Sequence, residues 1–380
     1  MSKWREVRFD SFITLKRGYD LPLTKTKEGK FPVIASTDLR GTHIEYKAKK
    51  PVITVGRSGS IGNVQFINHD AWPLNTTLYL KNDKGNNRRF IYYYLKTMQL
   101  ENFNSGAGVP TLNRNHLHSL KIKIPDLKTQ EKIVDILSTY DELIENNNRR
   151  IEILEKSAEE IYKEWFVRMR FPGYENTKFI KGIPEAWEVK RVKDLGEVIT
   201  GKTPSTKKEE YYGGNIMFVK TPDMNNNTFV INTEVYLSND GSDSQALKLL
   251  PKNSIMVNCI GVNAGESVSL NIEEAHTNQQ INSIVLEDAM YREWVYLTVK
   301  NLKGIIKLTA ATGATMPNLS KGKFERLKIL FPTNEIIKEF NNNTKDIFEN
   351  IKVLMLNNQN LIKQRDLLLP RLMNGTIEVK

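Results

Sequence analysis

The feature of this sequence that most constrains its fold is an internal repeat. Residues 110–125 read PTLNRNHLHSLKIKIP and residues 317–332 read PNLSKGKFERLKILFP. The prolines at both ends keep an offset of 207 positions (317 − 110 and 332 − 125). Four more pairs keep it: Leu112 and Leu319, Leu120 and Leu327, Lys121 and Lys328, and Ile122 and Ile329. A chain of this kind is expected to contain two copies of one structural plan.

The two halves also share features outside the repeat. One half opens with Trp4-Arg5-Glu6-Val7 and the other with Trp187-Glu188-Val189, and Gly56-Arg57-Ser58-Gly59 follows an apolar run as Gly261-Val262-Asn263-Ala264-Gly265 does. A long helical pattern follows each repeat segment. We therefore predict a first globular domain at residues 1–125, a central helix at 126–170, a second globular domain at 171–332 and a C-terminal helix at 333–380.

Both globular domains combine strand and helix patterns. Short apolar or alternating runs predict strands at residues 31–35, 51–55, 63–67 and 78–80, and at 216–220, 254–260, 267–270 and 283–286. One helix is predicted in each domain, at 88–98 and at 290–302. The expected fold class is α/β (α+β), with two pseudo-symmetric globular domains separated by a long antiparallel two-helix coiled coil.

Each long helix carries a stripe of mostly apolar residues spaced alternately by four and three, which is typical of a coiled-coil seam. About 40 residues of helix extend roughly 60 Å. Because the stripes keep the offset of the repeat, we expect the helices to pair with each other. The predicted seam is Ile133, Leu137, Tyr140, Ile144, Asn147, Ile151, Leu154, Ala158, Ile161 and Trp165 in the first helix, and Ile337, Phe340, Thr344, Ile347, Ile351, Leu354, Asn358, Leu361, Arg365 and Leu368 in the second.

The pairing is expected to be antiparallel, because a globular domain lies between the two helices and allows the chain to return. Asn147 and Asn358 would then face each other near the middle of the pair. A buried asparagine at a seam costs stability but can fix the register. The alternative is that both asparagines are exposed at a frayed seam.

Positive charge is concentrated at the start of the chain. The whole chain has 55 Lys and Arg against 44 Asp and Glu, and residues 1–125 have 21 against 9. A basic domain beside nearly neutral ones indicates a polyanionic partner such as nucleic acid. A lysine-rich solubilising surface would give the same excess.

Few residues suit catalysis or metal binding. With one cysteine, Cys259, and five histidines, the chain has no internal disulfide and no cysteine-cluster zinc site. His116 and His118 lack a carboxylate partner, so we expect a surface or core role for them. Motifs of a hydrolase nucleophile, an amino-methyltransferase and a dinucleotide site are missing. We expect a cytoplasmic, non-catalytic protein that binds no metal or cofactor and has neither a membrane helix nor a signal peptide.

One motif favours a different function. Residues 196–203 match the phosphate-binding loop pattern G-x-x-x-x-G-K-[ST] and end in Lys202 and Thr203. Such a loop needs a helix that begins at its Lys-Thr end, whereas Pro204 and the pair Gly213-Gly214 leave little room for one. A loop facing DNA phosphates or a plain turn is favoured. A coiled-coil ATPase that uses residues 196–203 is the alternative function.

Polar residues suited to DNA recognition occur in both globular domains. Arginine can grip guanine, and asparagine or glutamine can grip adenine, each through two hydrogen bonds. Lysines can contact the phosphate backbone. The candidates are Lys47, Lys49, Lys50, Arg57, Ser58, Asn75, Thr76, Thr77, Asn113 and Arg114 in the first domain, and Lys202, Thr203, Lys220, Thr221, Asn263, Gln279 and Gln280 in the second.

Several segments resemble one known family. They are Thr129-Gln130-Glu131-Lys132-Ile133, Tyr140-Asp141-Glu142-Leu143-Ile144-Glu145-Asn146-Asn147, Glu164-Trp165-Phe166-Val167-Arg168, Gly201-Lys202-Thr203-Pro204, Trp72-Pro73-Leu74-Asn75 and Leu367-Leu368-Leu369-Pro370-Arg371. Over essentially the whole chain the sequence resembles the specificity (S) subunits of type I restriction–modification systems. The second helix departs from the family pattern, because it lacks the Gln-Glu start seen at Gln130-Glu131.

The resemblance implies a DNA-reading adaptor. Each globular domain would be a target-recognition domain that reads one half of a bipartite DNA site, and the helices would set the spacing of the halves. Family members dock two modification (methyltransferase) subunits, which use S-adenosylmethionine, and restriction subunits, which use ATP with magnesium. Apolar residues near the helix ends are expected to be exposed for docking: Trp165, Phe166, Leu367, Leu368 and Leu369. A purely structural coiled-coil scaffold is a further alternative, and it predicts no salt-sensitive affinity for DNA.

Overall fold

A computed structural model describes residues 4–104, 110–311 and 317–379. The chain forms two compact units: unit 1 is Met1–Ile144 with Asn360–Lys380, and unit 2 is Glu145–Gln359. These units cut both long helices, whereas the sequence-based division at 125, 170 and 332 keeps each helix whole. Each unit therefore contains one globular part and a portion of both helices.

The strands and helices of the described residues follow one another in the same sequence in both units. The strands are β1 (Arg5–Arg8), β2 (Thr14–Arg17), β3 (Phe31–Ile34), β4 (Leu39–His43), β5 (Val52–Gly56), β6 (Val64–Ile67), β7 (Trp72–Pro73), β8 (Thr77–Asn82), β9 (Lys121–Ile124), β10 (Phe179–Ile180), β11 (Ile183–Pro184), β12 (Glu188–Arg191), β13 (Gly196–Thr200), β14 (Tyr212–Val219), β15 (Phe229–Val230), β16 (Val235–Leu237), β17 (Ile255–Asn258), β18 (Val268–Asn271), β19 (Ala275–Thr277), β20 (Ile281–Leu286) and β21 (Lys328–Phe331). The α-helices are α1 (Phe9–Phe12), α2 (Arg88–Thr97), α3 (Arg114–Ser119), α4 (Leu127–Tyr162), α5 (Thr221–Met224), α6 (Asn239–Asp243), α7 (Arg292–Asn301), α8 (Lys303–Ala311), α9 (Lys321–Glu325) and α10 (Asn334–Met373).

Unit 1 contains a four-stranded antiparallel sheet in the order β2-β8-β5-β6 and a three-stranded sheet in the order β4-β3-β7. In the smaller sheet, β3 is antiparallel to β4 and parallel to β7. The core lies between the larger sheet, α2 and the first turns of α4, where Phe12, Phe90 and Leu137 are fully buried. The apolar side chains of α2 and α4 thus attach the start of the long helix to the globular part.

Unit 2 repeats this plan. Its larger sheet has the order β13-β20-β17-β18-β15, and its smaller sheet has the order β16-β14-β19. Strand β14 is antiparallel to β16 and parallel to β19, as β3 is to its two neighbours. The core surrounds Phe229, Trp294 and Tyr296, and α10 adds Phe348 to it. The order of strands and their directions match between the units, which confirms the duplicated plan expected from the repeat.

A short antiparallel pair of strands closes each globular part. Strand β1 pairs with β9, so that Arg5 lies opposite Ile124, and β12 pairs with β21, so that Glu188 lies opposite Phe331. The similar openings at Trp4 and Trp187 are therefore joined to the strands that end the repeat segments. In both units the long helix begins within three residues of this pair.

The strands and helices predicted in the globular domains all overlap observed elements. The sequence patterns did not reveal β2 and β13, which read TLKR and GEVIT. Both are short and partly polar, so their alternation is weak. Helix α8 was also missed, because it follows α7 after a single residue and continues the same apolar pattern.

The two long helices are antiparallel within each unit. In unit 1, Arg365 of α10 forms an ion pair of 2.8 Å with Asp141 of α4. In unit 2, Asn147 lies against Asn358, and further along α4 the rings of Trp165 and Phe340 are 5.6 Å apart. Advancing along α4 thus means retreating along α10, which confirms the expected direction.

The predicted seam residues of both helices are all buried or half-buried. Asn147 Nδ2 donates to Asn358 Oδ1 over 2.9 Å, and Asn358 Nδ2 donates to Asn148 Oδ1 over 2.8 Å. The facing pair of asparagines is therefore present, and its amides satisfy each other inside the seam. This arrangement favours one register of the two helices.

The start of α4 is fixed by Gln130, which is 1% exposed. Its Oε1 accepts from the backbone N of Asn87, and its Nε2 donates to Asn86 Oδ1 and to the carbonyl of Pro125. In α10 the position with the same offset is Ile337, which is fully buried. The absence of the Gln-Glu start in the second helix thus exchanges a polar attachment for an apolar one.

The expectation of exposed docking residues was wrong for most of the set. Phe166 is buried between Trp187, Trp294 and Phe340, and Leu369 is buried in the core of unit 1. Trp165 and Leu368 are half-buried beside them, and Leu367 alone of the five is exposed. The reason is that a π-helical turn, Lys163–Val167, ends the first helix and turns its aromatic residues into the core of unit 2.

Candidate nucleic-acid interface

In unit 1, three arginines converge on a surface cavity of about 360 Å³. Arg17 is at the end of β2, Arg57 follows β5, and Arg114 begins α3. Leu78, Thr111, Leu112 and Asn113 complete the lining. Three guanidinium groups around one polar concavity make an electropositive site that suits phosphates or the acceptor atoms of bases.

Backbone hydrogen bonds bring these segments together. Arg57 N donates to Thr76 O and Leu112 N donates to Arg57 O, both over 2.8 Å. Gly18 N donates to the carbonyl of Thr77 over 3.0 Å. A Cβ on Gly18 would lie 2.2 Å from the carbonyl oxygen of Leu74, so this close approach requires glycine.

The side chains of the cavity are held by local contacts. Arg57 is half-buried, and its Nη1 donates to the carbonyl of Asn75 over 3.4 Å. Arg17 pairs with Asp20 over 3.4 Å, and the amide of Asn75 also donates to the Asp20 carboxylate. Among the described residues no carboxylate pairs with Arg57, so its remaining N–H groups are available to a ligand.

Other predicted DNA-binding residues of unit 1 have different surroundings. Asn113 caps α3, because its side chain accepts from Asn115 N over 2.9 Å, and this places Arg114 on the first turn. Ser58 and Thr76 lie beside the cavity and are half-buried. Thr77 is fully buried and its hydroxyl donates to Leu74 O, so its assignment to DNA was wrong. It faces inward because residues alternate across β8.

The three lysines assigned to the DNA backbone do not line the cavity. Lys47 lies with its Nζ 4.7 Å from the centre of the Trp72 ring and 3.4 Å from a carboxylate oxygen of Glu45. Lys49 and Lys50 are exposed on the segment before β5. A contact of these side chains with phosphates stays a prediction.

Unit 2 brings five of its seven predicted residues together at the equivalent place. Thr203 Oγ1 donates to Gln279 Oε1 over 2.8 Å, and Thr221 Oγ1 donates to Gln280 Oε1 over 3.0 Å. Lys202 N donates to Thr277 O over 2.9 Å, which holds the loop after β13 against the turn between β19 and β20. Two amides anchored by two hydroxyls, with a lysine beside them, form a polar surface suited to base edges.

The other two predicted residues lie apart from this cluster. Lys220 Nζ forms a 2.7 Å ion pair with Glu234, which lowers the pKa of that carboxyl through their hydrogen bond. Asn263 is exposed on the turn after β17, and its carbonyl accepts from Asn258 Nδ2. Neither side chain shares a printed hydrogen bond with Gln279 or Gln280.

The two sites occupy equivalent positions of the duplicated fold. Gly201 N donates to Ile281 O, as Gly18 N does to Thr77 O, and Cys259 N donates to Gln280 O, as Arg57 N does to Thr76 O. Arg57 thus corresponds to Cys259, and Thr76 corresponds to Gln280. The alignment of Gly56 with Gly261 suggested from sequence was wrong, because β17 ends at Asn258 and the later glycines belong to a longer turn.

The sequence reading missed two residues of these sites. Arg17 lines the cavity of unit 1, and its signal was only a basic residue before a glycine. Lys321 opens α9 as Arg114 opens α3, and it keeps the repeat offset of 207 (321 − 114). Applying the offset to Arg114 would have found it.

The thiol and histidines of the chain have structural surroundings. Cys259 is 2% exposed, and burial raises its pKa to about 12. His118 Nε2 accepts from Leu15 N over 3.1 Å, and burial lowers the pKa of this imidazole. His116 is exposed, two positions away on α3. In the residues that the structure describes, no group of three or more His, Cys, Asp or Glu side chains could hold a metal ion.

The Gly-Lys-Thr motif does not form a phosphate-binding loop. Residues 196–200 are strand β13, which pairs with β20. Residues 201–208, all described, contain no helix, and only a 3₁₀ turn follows at Glu209–Tyr211. The bundle of helix-terminal amides that binds nucleotide phosphates is therefore missing at this place.

No helix within the described ranges has the length and apolar character needed to cross a membrane.

Comparison with known proteins gives a consistent family. The family described as Type I restriction modification DNA specificity domain matches residues 1–156 and 184–365. The HindI type I restriction enzyme specificity subunit of Haemophilus influenzae is 32% identical over 329 residues, which cover 70% of this chain and 71% of that protein. The MjaVIII specificity subunit of Methanocaldococcus jannaschii is 23% identical over 404 aligned residues, which cover 99% and 93%.

A solved structure has the same fold. The S subunit of a type I restriction–modification system from M. genitalium superposes with a TM-score of 0.62 at 18% identity, covering 98% of this chain and 96% of that one. At this identity the likeness concerns the fold, and it agrees with the duplicated arrangement of strands.

Proposed function

Because the chain belongs to the type I restriction–modification DNA specificity family, we propose that it is the DNA sequence-specificity subunit of a type I restriction–modification complex. Unit 1 reads one half of a bipartite DNA site and unit 2 reads the other. The proposal draws on the relatives, which are type I specificity subunits. It also draws on the residues that each unit presents.

The observation that carries the proposal is the presence of a polar cluster at the equivalent place in both units. In unit 1 the cluster contains Arg17, Arg57 and Arg114, and in unit 2 it contains Gln279 and Gln280. Duplicated folds with different side chains at the same position are what the recognition of two unlike half-sites requires. Guanidinium and amide groups are also the side chains that read base edges in the major groove.

The charge of the first segment supports binding to duplex DNA. Residues 1–125 carry 21 basic against 9 acidic side chains. Contacts with phosphates release counterions, so the affinity should fall steeply as salt is raised. A purely structural scaffold would show no such dependence.

The helices are assigned the spacing of the half-sites and the docking of partner subunits. Two modification subunits supply S-adenosylmethionine and methylate adenine, and restriction subunits supply ATP-dependent cleavage with magnesium. The chain itself is non-catalytic, binds no cofactor and acts in the cytoplasm. Leu367, which is exposed on α10, is the docking residue of the original set that a partner can reach.

Domain exchange combined with methylome sequencing tests this function. Residues 1–125 are replaced by the corresponding domain of another family member, and the variant is expressed with its modification subunits in a host without other methylation. One half-site is expected to change while the other half-site and the spacer stay the same. The reciprocal exchange of residues 171–332 should change the other half-site. Loss of both half-sites from either stably folded exchange variant would contradict the modular assignment.

A further inference from the structure

The two equivalent sites differ in the chemistry that they offer to a base. At one position unit 1 has Arg57 and unit 2 has Cys259, whose buried thiol cannot reach a ligand. At another, unit 1 has Thr76 and unit 2 has Gln280. A guanidinium in one unit is thus replaced by an amide in the other, although the backbone around them is the same.

Arg57 is the arginine of the unit 1 cavity that is best prepared to read a base. It is half-buried and held against the Asn75 carbonyl, whereas Arg17 is engaged by Asp20 and Arg114 is exposed on the first turn of α3. A guanidinium held in place loses less side-chain entropy when it forms two parallel hydrogen bonds. Its fork of donors matches O6 and N7 of guanine.

The surroundings of Arg57 favour a base edge over a phosphate. The exposed carboxylate of Asp20 binds the amide of Asn75, whose carbonyl holds Arg57. A carboxylate repels the phosphate backbone, but it can accept a hydrogen bond from the amino group of a base. The exposed Arg114 has no carboxylate partner among the described residues and is better placed for a phosphate.

Gln280 has the corresponding role in unit 2. It is half-buried, and its Oε1 accepts from Thr221 Oγ1 over 3.0 Å, while the neighbouring Gln279 is exposed. The hydroxyl fixes the amide plane and leaves the NH₂ group and one lone pair of Oε1 for a ligand. An amide that offers one donor and one acceptor matches N7 and the N6 amino group of adenine.

We propose that Arg57 specifies a guanine in the half-site read by unit 1, and that Gln280 specifies an adenine in the half-site read by unit 2. This inference rests on the proposed function, because it assumes that both units read DNA. It goes further by assigning one base class and one reading residue to each half-site.

The experiment uses the full-length chain in complex with its modification subunits and selects bound duplexes from a randomised pool for sequencing. Arg57→Lys keeps the positive charge but loses the bidentate fork, and Gln280→Met keeps the size but loses the amide. Arg150→Lys and Gln364→Met, exposed on α4 and α10, are the matched controls. Each variant also retains the half-site of the unaltered unit as an internal check of folding.

The wild-type complex is expected to select guanine at one position of one half-site and adenine at one position of the other. Arg57→Lys should lower the preference for that guanine by roughly 5- to 150-fold, with the salt dependence of binding unchanged. Gln280→Met should lower the preference for adenine in the other half-site to a similar extent. The controls should select the wild-type sequence.

Two results would overturn the inference while leaving the proposed function intact. One is a bipartite site whose selected bases are unchanged in Arg57→Lys and in Gln280→Met. The other is an equal loss of affinity for all sequences in Arg57→Lys, which would make this residue a phosphate contact. A wild-type complex that selects no bipartite sequence would overturn the proposed function itself, and with it the inference.

Discussion

The polar pair in the seam of unit 2 allows a quantitative test of the helix pairing. Asn147 and Asn358 are 9% and 7% exposed, and Nδ2 of the first donates to Oδ1 of the second over 2.9 Å. Replacing either one with leucine leaves a buried amide without its partner, which costs about 1–3 kcal/mol. Replacing both removes the two polar groups together, and the apolar gain of each leucine is the same in the single and double variants. The double variant should therefore be about 1–3 kcal/mol more stable than the sum of the single effects predicts.

Differential scanning calorimetry of the full-length single and double variants measures this coupling. For a domain of this size, 1 kcal/mol shifts Tm by roughly 2–4 °C, so the double variant should melt about 2–12 °C above the additive expectation. Asn360→Leu, exposed on the same helix, is the control and should change stability by no more than about 0.5 kcal/mol. Additivity of the two single variants within about 0.5 kcal/mol would refute the contact, since residues that do not touch do not couple.

Other features of the structure lead to further expectations. Arg365→Met leaves the mostly buried carboxylate of Asp141 without its 2.8 Å partner, so unfolding by denaturant should show a loss of about 1–3 kcal/mol; no loss would make the pair a surface contact. In Gly201→Ala the new Cβ would lie 2.3 Å from carbonyl oxygens, so Tm and DNA binding should both fall, whereas Gly304→Ala, with open space around it, should change neither. Burial lowers the pKa of His276 below that of the unfolded chain, so the unfolded chain binds the proton first and stability present above about pH 6.5 is lost as the pH falls; between pH 7 and 5, His276→Gln should show a flatter decline of Tm than the wild type. ATP with magnesium should leave Tm of the isolated chain unchanged, and a ligand-dependent rise would restore the ATPase alternative.

The features that could be predicted from the sequence are those that local patterns carry. The repeat offset gave the duplication, the heptad stripes gave the antiparallel helices, and the spacing of Asn147 and Asn358 gave their contact. These succeed because a seam residue recurs at a fixed spacing whatever surrounds it. The strands with strong apolar runs were found for the same reason.

The features that failed depend on tertiary packing. Thr77 was assigned to DNA because of its polar type, but its side chain faces the core side of β8. Phe166 was expected to be exposed, because a helical pattern does not reveal where the chain turns into a core. The correspondence of Arg57 with Cys259 was hidden by different turn lengths after β5 and β17, and only the hydrogen bonds between neighbouring strands reveal it.

The strand pairs β1–β9 and β12–β21 have a mechanical consequence. Each brings the entry and the exit of a globular part side by side just before a long helix begins. Insertions, deletions or wholesale replacement of the residues between them leave the helix start anchored at the same point. The recognition portion is thus an interchangeable cassette, and new target sequences can arise by shuffling cassettes without redesigning the frame that carries them.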